Sequence, residues 1–211
     1  MLRILCAIGI GGGVASAAGG IVTIELDREY SGGAPAGAGP WLRATFEDVA
    51  GGVRLTLDNL LTGPAEFIRN WYFNLDPSLT PGLLSIQRDF GPTPVAIDVG
   101  VDQFKAASAD DFDVRVRWPT AHSNASRFDH DHAGAVFTIT SSEALAAAAF
   151  AFRAGAADDG FFSAAHVQGI GPGGQDSGWI SGDPTVAVPS PGAGLLAGIG
   201  LALAAVARRR V

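Results

Sequence analysis

Phe112-Asp113-Val114-Arg115-Val116-Arg117-Trp118 has the cleanest period of two in the chain. Four apolar residues take alternate positions and charged residues lie between them, the pattern of a strand with one buried face. Working outward, the same pattern recurs. In 41–47, Leu42, Ala44 and Phe46 share a face; Ala50-Gly51-Gly52 makes a turn; then Val53, Leu55 and Leu57 point inward while Arg54 and Thr56 point out. Two alternating runs joined by a short glycine turn predict a hairpin. Ile21 to Leu26 predicts a first strand, and Ser31 to Pro40 a Gly/Ala/Pro loop. The most aromatic strand, Phe67 to Leu75, is stopped by Asp76-Pro77. Further strands are expected at 83–87, 95–104, 135–140, 161–170 and 179–180, with a glycine-rich loop at 171–178. One helix interrupts: Thr140-Ser141-Ser142-Glu143 has capping-box spacing, and good helix formers dominate 144–152. About eight to ten short strands separated by Gly/Pro/Asp turns predict an all-β protein, an antiparallel β-sandwich of jelly-roll type with one short helix.

The two ends read differently. Met1-Leu2-Arg3 is a small positive region, 4–14 is glycine-rich and apolar, and Ala15-Ser16-Ala17 gives the small-x-small pattern of a signal-peptidase site. Export with cleavage near Ala17 is expected. At the other end, Val188-Pro189-Ser190-Pro191 leads into the uncharged run Gly192 to Ala207, closed by Arg208, Arg209 and Arg210. That run has 16 residues, against the ~20 that cross a bilayer squarely. The prolyl flank and snorkelling arginines bring it within reach of a thin membrane, with the arginines cytoplasmic. The expected organisation is a signal peptide over 1–17, a β-sandwich over 18–181, a linker over 182–187 and a membrane-directed tail over 188–211.

The three-part tail resembles the PEP-CTERM protein-sorting signal of Gram-negative bacteria. In that signal a Pro-Glu-Pro-like motif, a membrane helix and a basic cluster are recognised by a membrane protease-transpeptidase, exosortase. The resemblance covers about 24 of 211 residues, and Ser190 stands where the commonest form carries Glu. Three segments of the domain, around Pro40 to Phe46, Trp71 to Pro77 and Ala164 to Gly171, are similar to a group of PEP-CTERM proteins without an assigned activity. The resemblance implies an exosortase-like protease and a signal peptidase as partners, a membrane-held precursor, and a final place at the cell surface or in the extracellular matrix. The plainer alternative is an ordinary C-terminal membrane anchor.

Composition narrows the chemistry. The single cysteine, Cys6, lies in the signal segment, so the mature domain holds no disulfide. Net charge is −7; with Arg3, Arg208, Arg209 and Arg210 set aside, ten basic residues face 21 acidic ones, a balance of −11. Such a domain does not bind nucleic acid by phosphate neutralisation.

Candidate sites are sparse. Asp129-His130-Asp131-His132, with His122 and Asn124 nearby, offers metal ligands in a row; a solvated loop is the plainer reading. Asp110, Asp111 and Asp113, with Asp98 and Asp102, offer oxygens to Ca2+ but lack the spacing of a known calcium loop. Otherwise Asp113 simply sits on the outward face of its strand. Gln175-Asp176-Ser177-Gly178 resembles the nucleophile segment of trypsin-like proteases without its preceding glycine, and there is no G-x-S-x-G elbow. His166 is a possible general base or a hydrogen-bonded structural histidine, and no pair of carboxylates is singled out for glycoside hydrolysis. Trp41, Trp71, Tyr72, Trp118 and Trp179 offer aromatic surface to a sugar. Strand alternation sends Tyr72 to the face opposite Trp71 and Phe73, so an aromatic is exposed there unless both faces are buried. The expected function is therefore structural or adhesive, tied to exopolysaccharide and without catalysis. A carbohydrate-binding module is the main alternative and a secreted hydrolase the third.

Overall fold

The alternation in 42–57 becomes a hairpin, and one of two facing sheets grows from it. The computed structural model of the chain describes residues 19–107, 109–154 and 160–187. Among them the strands are, in chain order, β1 (Ile21–Leu26), β2 (Arg28–Gly32), β3 (Leu42–Val49), β4 (Gly52–Asn59), β5 (Phe67–Phe73), β6 (Leu84–Phe90), β7 (Ala96–Ala106), β8 (Ala109–Arg117), β9 (Phe128–Asp129), β10 (Gly134–Ser141), β11 (Ser163–Ile170), β12 (Asp176–Gly182) and β13 (Pro184–Ala187). One sheet runs β13-β1-β3-β4-β10-β6; the other runs β2-β12-β11-β5-β8-β7, with β9 added beside β5. Every pairing among them is antiparallel. The protein is an antiparallel β-sandwich.

The core fills the space between the sheets, as alternation requires. Leu42, Ala44, Phe46, Val53, Leu55 and Leu57 are all buried on the six-stranded side. Trp71, Phe73, Val114, Val116 and Trp118 answer them from the other sheet. Phe46 meets Phe73 edge-on at 5.4 Å and stacks on Phe150 at 4.3 Å, so the sheets interlock through aromatic contacts. In the core between the sheets Trp71 Nε1 donates to Ser163 Oγ at 3.0 Å, and Ser163 Oγ donates to the Tyr72 carbonyl at 2.8 Å.

Several expectations need correction. The helix expected over 144–152 shrinks to a 3-10 turn, Ala147–Phe150. Its supposed capping box is dismantled: Ser141 ends β10, and the Glu143 carboxylate accepts from Thr80 N instead. Asp48 Oδ1 accepts from Ala147 N at 2.6 Å, holding the turn so that Phe150 reaches Phe46. Tertiary packing overrides helix propensity here. The segment 182–187 is not a linker: it holds the end of β12 and β13, which pairs with β1 through Val22↔Val186. Phe112 leaves the face it was expected to share with Val114, Val116 and Trp118. Four residues, 100–103, bulge out of β7 opposite Asp113, and Phe112 packs in a separate cluster on the far side of the sheet.

Ala15 and Ala17, the motif Val188-Pro189-Ser190-Pro191, the apolar run and Arg208 to Arg210 lie outside the described residues. Among the described residues, no helix is long and apolar enough to cross a membrane.

Candidate functional site

Most of the residues singled out above are occupied with structure. Trp71 and Tyr72 are only 0% and 2% exposed, so neither is a sugar platform. Tyr72 does point away from Trp71, but its face carries a second apolar cluster with Phe112, Ala106, Ala154 and Ala164. Both faces of β5 are therefore covered at Trp71 to Phe73. The Asp129 to His132 row splits. Asp129 turns inward, 3.6 Å from both Arg127 Nε and His132 Nδ1, whereas His130 and Asp131 face solvent and pair with each other. Among the described residues no three metal-ligating side chains gather at one point.

Two of the aspartates considered for calcium, Asp113 and Asp98, are committed as well. Asp113 is buried rather than solvated, because its two oxygens accept from Leu75 N and Asp102 N. Asp98 receives Arg115 and Arg117. Asp102 takes a left-handed backbone, φ 49°, at the bulge; partial burial, with Asp113 and Asp111 nearby, raises its pKa. Ser177 pairs with Gln168, and no histidine stands opposite it. A hollow of about 450 Å3 at the 63–66 and 171–174 loops has one ionisable wall residue, Glu66, whose carboxylate accepts from Ala36 N and Gly63 N.

The outer face of the seven-stranded sheet is different. Its strands come from distant parts of the chain, yet their registers place Trp179, His166, Asn70 and Arg117 in one row across β12, β11, β5 and β8. Four adjacent strands span about 14 Å. The next row brings Ala164, Tyr72, Arg115 and Asp98 together across β11, β5, β8 and β7. The ladder between β5 and β11 shifts at Ile68/Asn70, so Arg69 is an extra residue there. Ile68 and Trp71 both pack into the core, and only such a bulge leaves two consecutive polar residues between them.

The two rows are held by directed bonds. Asn70 Nδ2 donates to Tyr72 Oη at 3.1 Å, and Arg115 lies over Phe104 while bonding Asp98. Burial raises the Tyr72 pKa, and Arg115 acts against that rise. His166 stacks on Trp179 at 4.4 Å with planes 7° apart. Burial first, and then the charge on Arg69, lowers the His166 pKa to about 4, so its imidazole is neutral at neutral pH. Arg69 makes no ion pair among the described residues, and Arg117 gives its Nε to Asp98 at 3.0 Å. Between these two arginines lies a hollow of about 200 Å3, walled also by Asn70, Val95 and Trp118. Asn70 Oδ1 is buried without a partner. Such an atom is costly to leave unpaired.

The chain matches no protein-family model, no curated protein and no solved structure, so its own surface carries the functional reading. The arrangement can bind a ligand: it offers planar cationic donors, an amide, a neutral imidazole and an indole. Arg69 and Asn70 were not singled out from the sequence, although two consecutive polar residues inside an aromatic strand are the mark of a bulge. Arg115 and Arg117 were legible as outward residues, but their neighbours were not.

Proposed function

We propose that this chain is an exported component of a Gram-negative cell surface or its exopolysaccharide matrix, with a structural or adhesive role. The observation that supports it is the combination, in one chain, of a signal-peptide-like start, a PEP-CTERM-like tail and, between them, a fully packed β-sandwich. In this reading Ala15 and Ala17 flank signal cleavage. The run after Pro191 forms the membrane helix, and Arg208, Arg209 and Arg210 hold it on the cytoplasmic side. An exosortase-like protease then cuts near Val188 to Pro191 and releases or relinks the domain. The strand arrangement is taken as a jelly-roll variant, and the domain catalyses nothing.

A carbohydrate-binding module with the same address is the second reading, favoured by the Arg69, Asn70, Arg117 hollow beside the His166–Trp179 stack. The decisive measurement for sorting is the C-terminal mass of the protein from its native host, with and without the sorting protease. A mature end near Pro191 that disappears in the protease mutant is expected. A tail ending in Val211 in both strains would replace sorting with plain anchoring.

A further inference from the structure

The geometry points to a specific ligand for the outer face of the seven-stranded sheet: a polysaccharide bearing carboxylate groups, bound at Arg69, Asn70 and Arg117 beside the His166–Trp179 stack. This rests on the surface-matrix reading above and names what the domain would hold there.

Charge distribution is the first argument. The middle of the chain carries ten basic residues against 21 acidic ones, yet three of the ten, Arg69, Arg115 and Arg117, lie on this one face. Asp98 is shared by Arg115 and Arg117, which leaves cationic capacity at the site. Arg115 is further engaged with Tyr72 and Phe104. Arg69 has no carboxylate, and Arg117 spends only its Nε on Asp98 among the described residues. Two guanidinium groups with free donors beside a hollow of about 200 Å3 suit one carboxylate, whose planar oxygens match the guanidinium fork. Pockets for whole small ligands start near 300 Å3, so this hollow takes one group of a larger molecule lying across the surface.

The remaining groups fit a sugar chain. Asn70 lines the hollow with an amide whose oxygen has no partner within the protein. Neutral His166 adds a hydrogen-bonding nitrogen without a charge, and the His166–Trp179 stack adds apolar surface at the far end of the row. A densely charged polyanion fits less well. A nucleic acid carries a phosphate at every residue and would meet the surrounding acidic surface, with its balance of −11, after one or two contacts. A polysaccharide with well-spaced carboxylates meets the arginines and presents hydroxyls elsewhere.

The test uses the full-length chain in detergent, titrated at low salt with hyaluronan (one carboxylate every second sugar), dextran, heparin and RNA. Saturable binding to hyaluronan is expected, with none to dextran. Arg69→Ala should weaken it at least about tenfold, because a charge-assisted bond is lost. Arg69→Lys should weaken it less. Arg54→Ala, on the opposite sheet, should leave it unchanged. Arg69 is exposed, so these variants should keep the parent's melting temperature, and that is checked in parallel. Equal binding to dextran would overturn the carboxylate. Equal binding to heparin or RNA, weakened as much by Arg54→Ala as by Arg69→Ala, would mean a general charge effect and would overturn the site. No binding to hyaluronan would overturn the inference while leaving the C-terminal mass experiment, and the sorting it tests, untouched.

Discussion

The outer faces of the two sheets obey the same strand geometry and end in opposite states. On the six-stranded sheet Thr23, Thr45 and Thr56 stand in register across β1, β3 and β4. Glu25 faces Arg43 and pairs with it at 2.7 Å; Glu47 faces Arg54 and pairs at 3.3 Å. The ladders among β1, β3 and β4 run without a register shift. Charges there cancel across strands and the face is simply wetted. On the seven-stranded sheet four ladders carry register shifts, and the outward residues build a second apolar cluster, an arginine-lined hollow and a stacked aromatic pair. The lesson is that outward-facing positions become a site only when bulges break the regular pairing that would neutralise them.

The strongest way to break this contrast is Tyr72→Ala. If the outer cluster is a second core, its removal should cost about 3 kcal/mol or more, measured by urea unfolding. Thr45→Ala, at an outward position on the other sheet, should cost less than about 1 kcal/mol. Equal effects would mean that the two faces are energetically alike. Next come two glycines with left-handed backbones. A Cβ on Gly169, φ 80°, at the shift between β11 and β12, would collide with the Ala65 carbonyl. Gly51, φ 86°, in the β3–β4 turn, has open space around it. Gly169→Ala should therefore cost about 2–3 kcal/mol, and Gly51→Ala about 1 kcal/mol from backbone strain alone.

A third comparison is a pH dependence confined to one face. His166 titrates near 4 in the folded protein, below its ordinary 6.5. The unfolded chain therefore binds the proton more readily, and stability should fall as pH drops from about 6.5 towards 4. His166→Gln should remove that part of the slope in thermal melts at stepped pH. Arg69→Ala should remove a smaller part, since burial is the larger cause of the shift. A slope identical in all three proteins would place the titration elsewhere.

Much of the sandwich was readable from periodicity. Leu42, Ala44, Phe46, Val53, Leu55 and Leu57 are expected inward and are buried, because a strand with one dry face must alternate. Short or irregular strands escaped. β2, β9 and β13 are five, two and four residues long with little apolar patterning, and they exist only because neighbouring strands offer hydrogen bonds. Alternation also misplaced Phe112, since it cannot register the four residues bulged out opposite Asp113. The helix over 144–152 failed because alanine propensity is worth tenths of a kcal/mol, and the Asp48 bond and the Phe46 stack favour a single tight turn.

For the site, the local reading reached the residue types without their company. His166, Trp179 and the outward Arg117 are each legible locally, while Asn70 and the row the four share are not. Residues at 70, 117, 166 and 179 become neighbours through strand order, which depends on the whole core closing. The amino-acid order alone therefore set which side chains are dry, through a period-two pattern each strand carries within itself. It also set the character of the two ends, which is a matter of composition. The fate of the outward side chains was left to long-range pairing. Cross-strand partners lie about 5 Å apart whatever their separation in the chain, and a single extra residue such as Arg69 changes which of them meet.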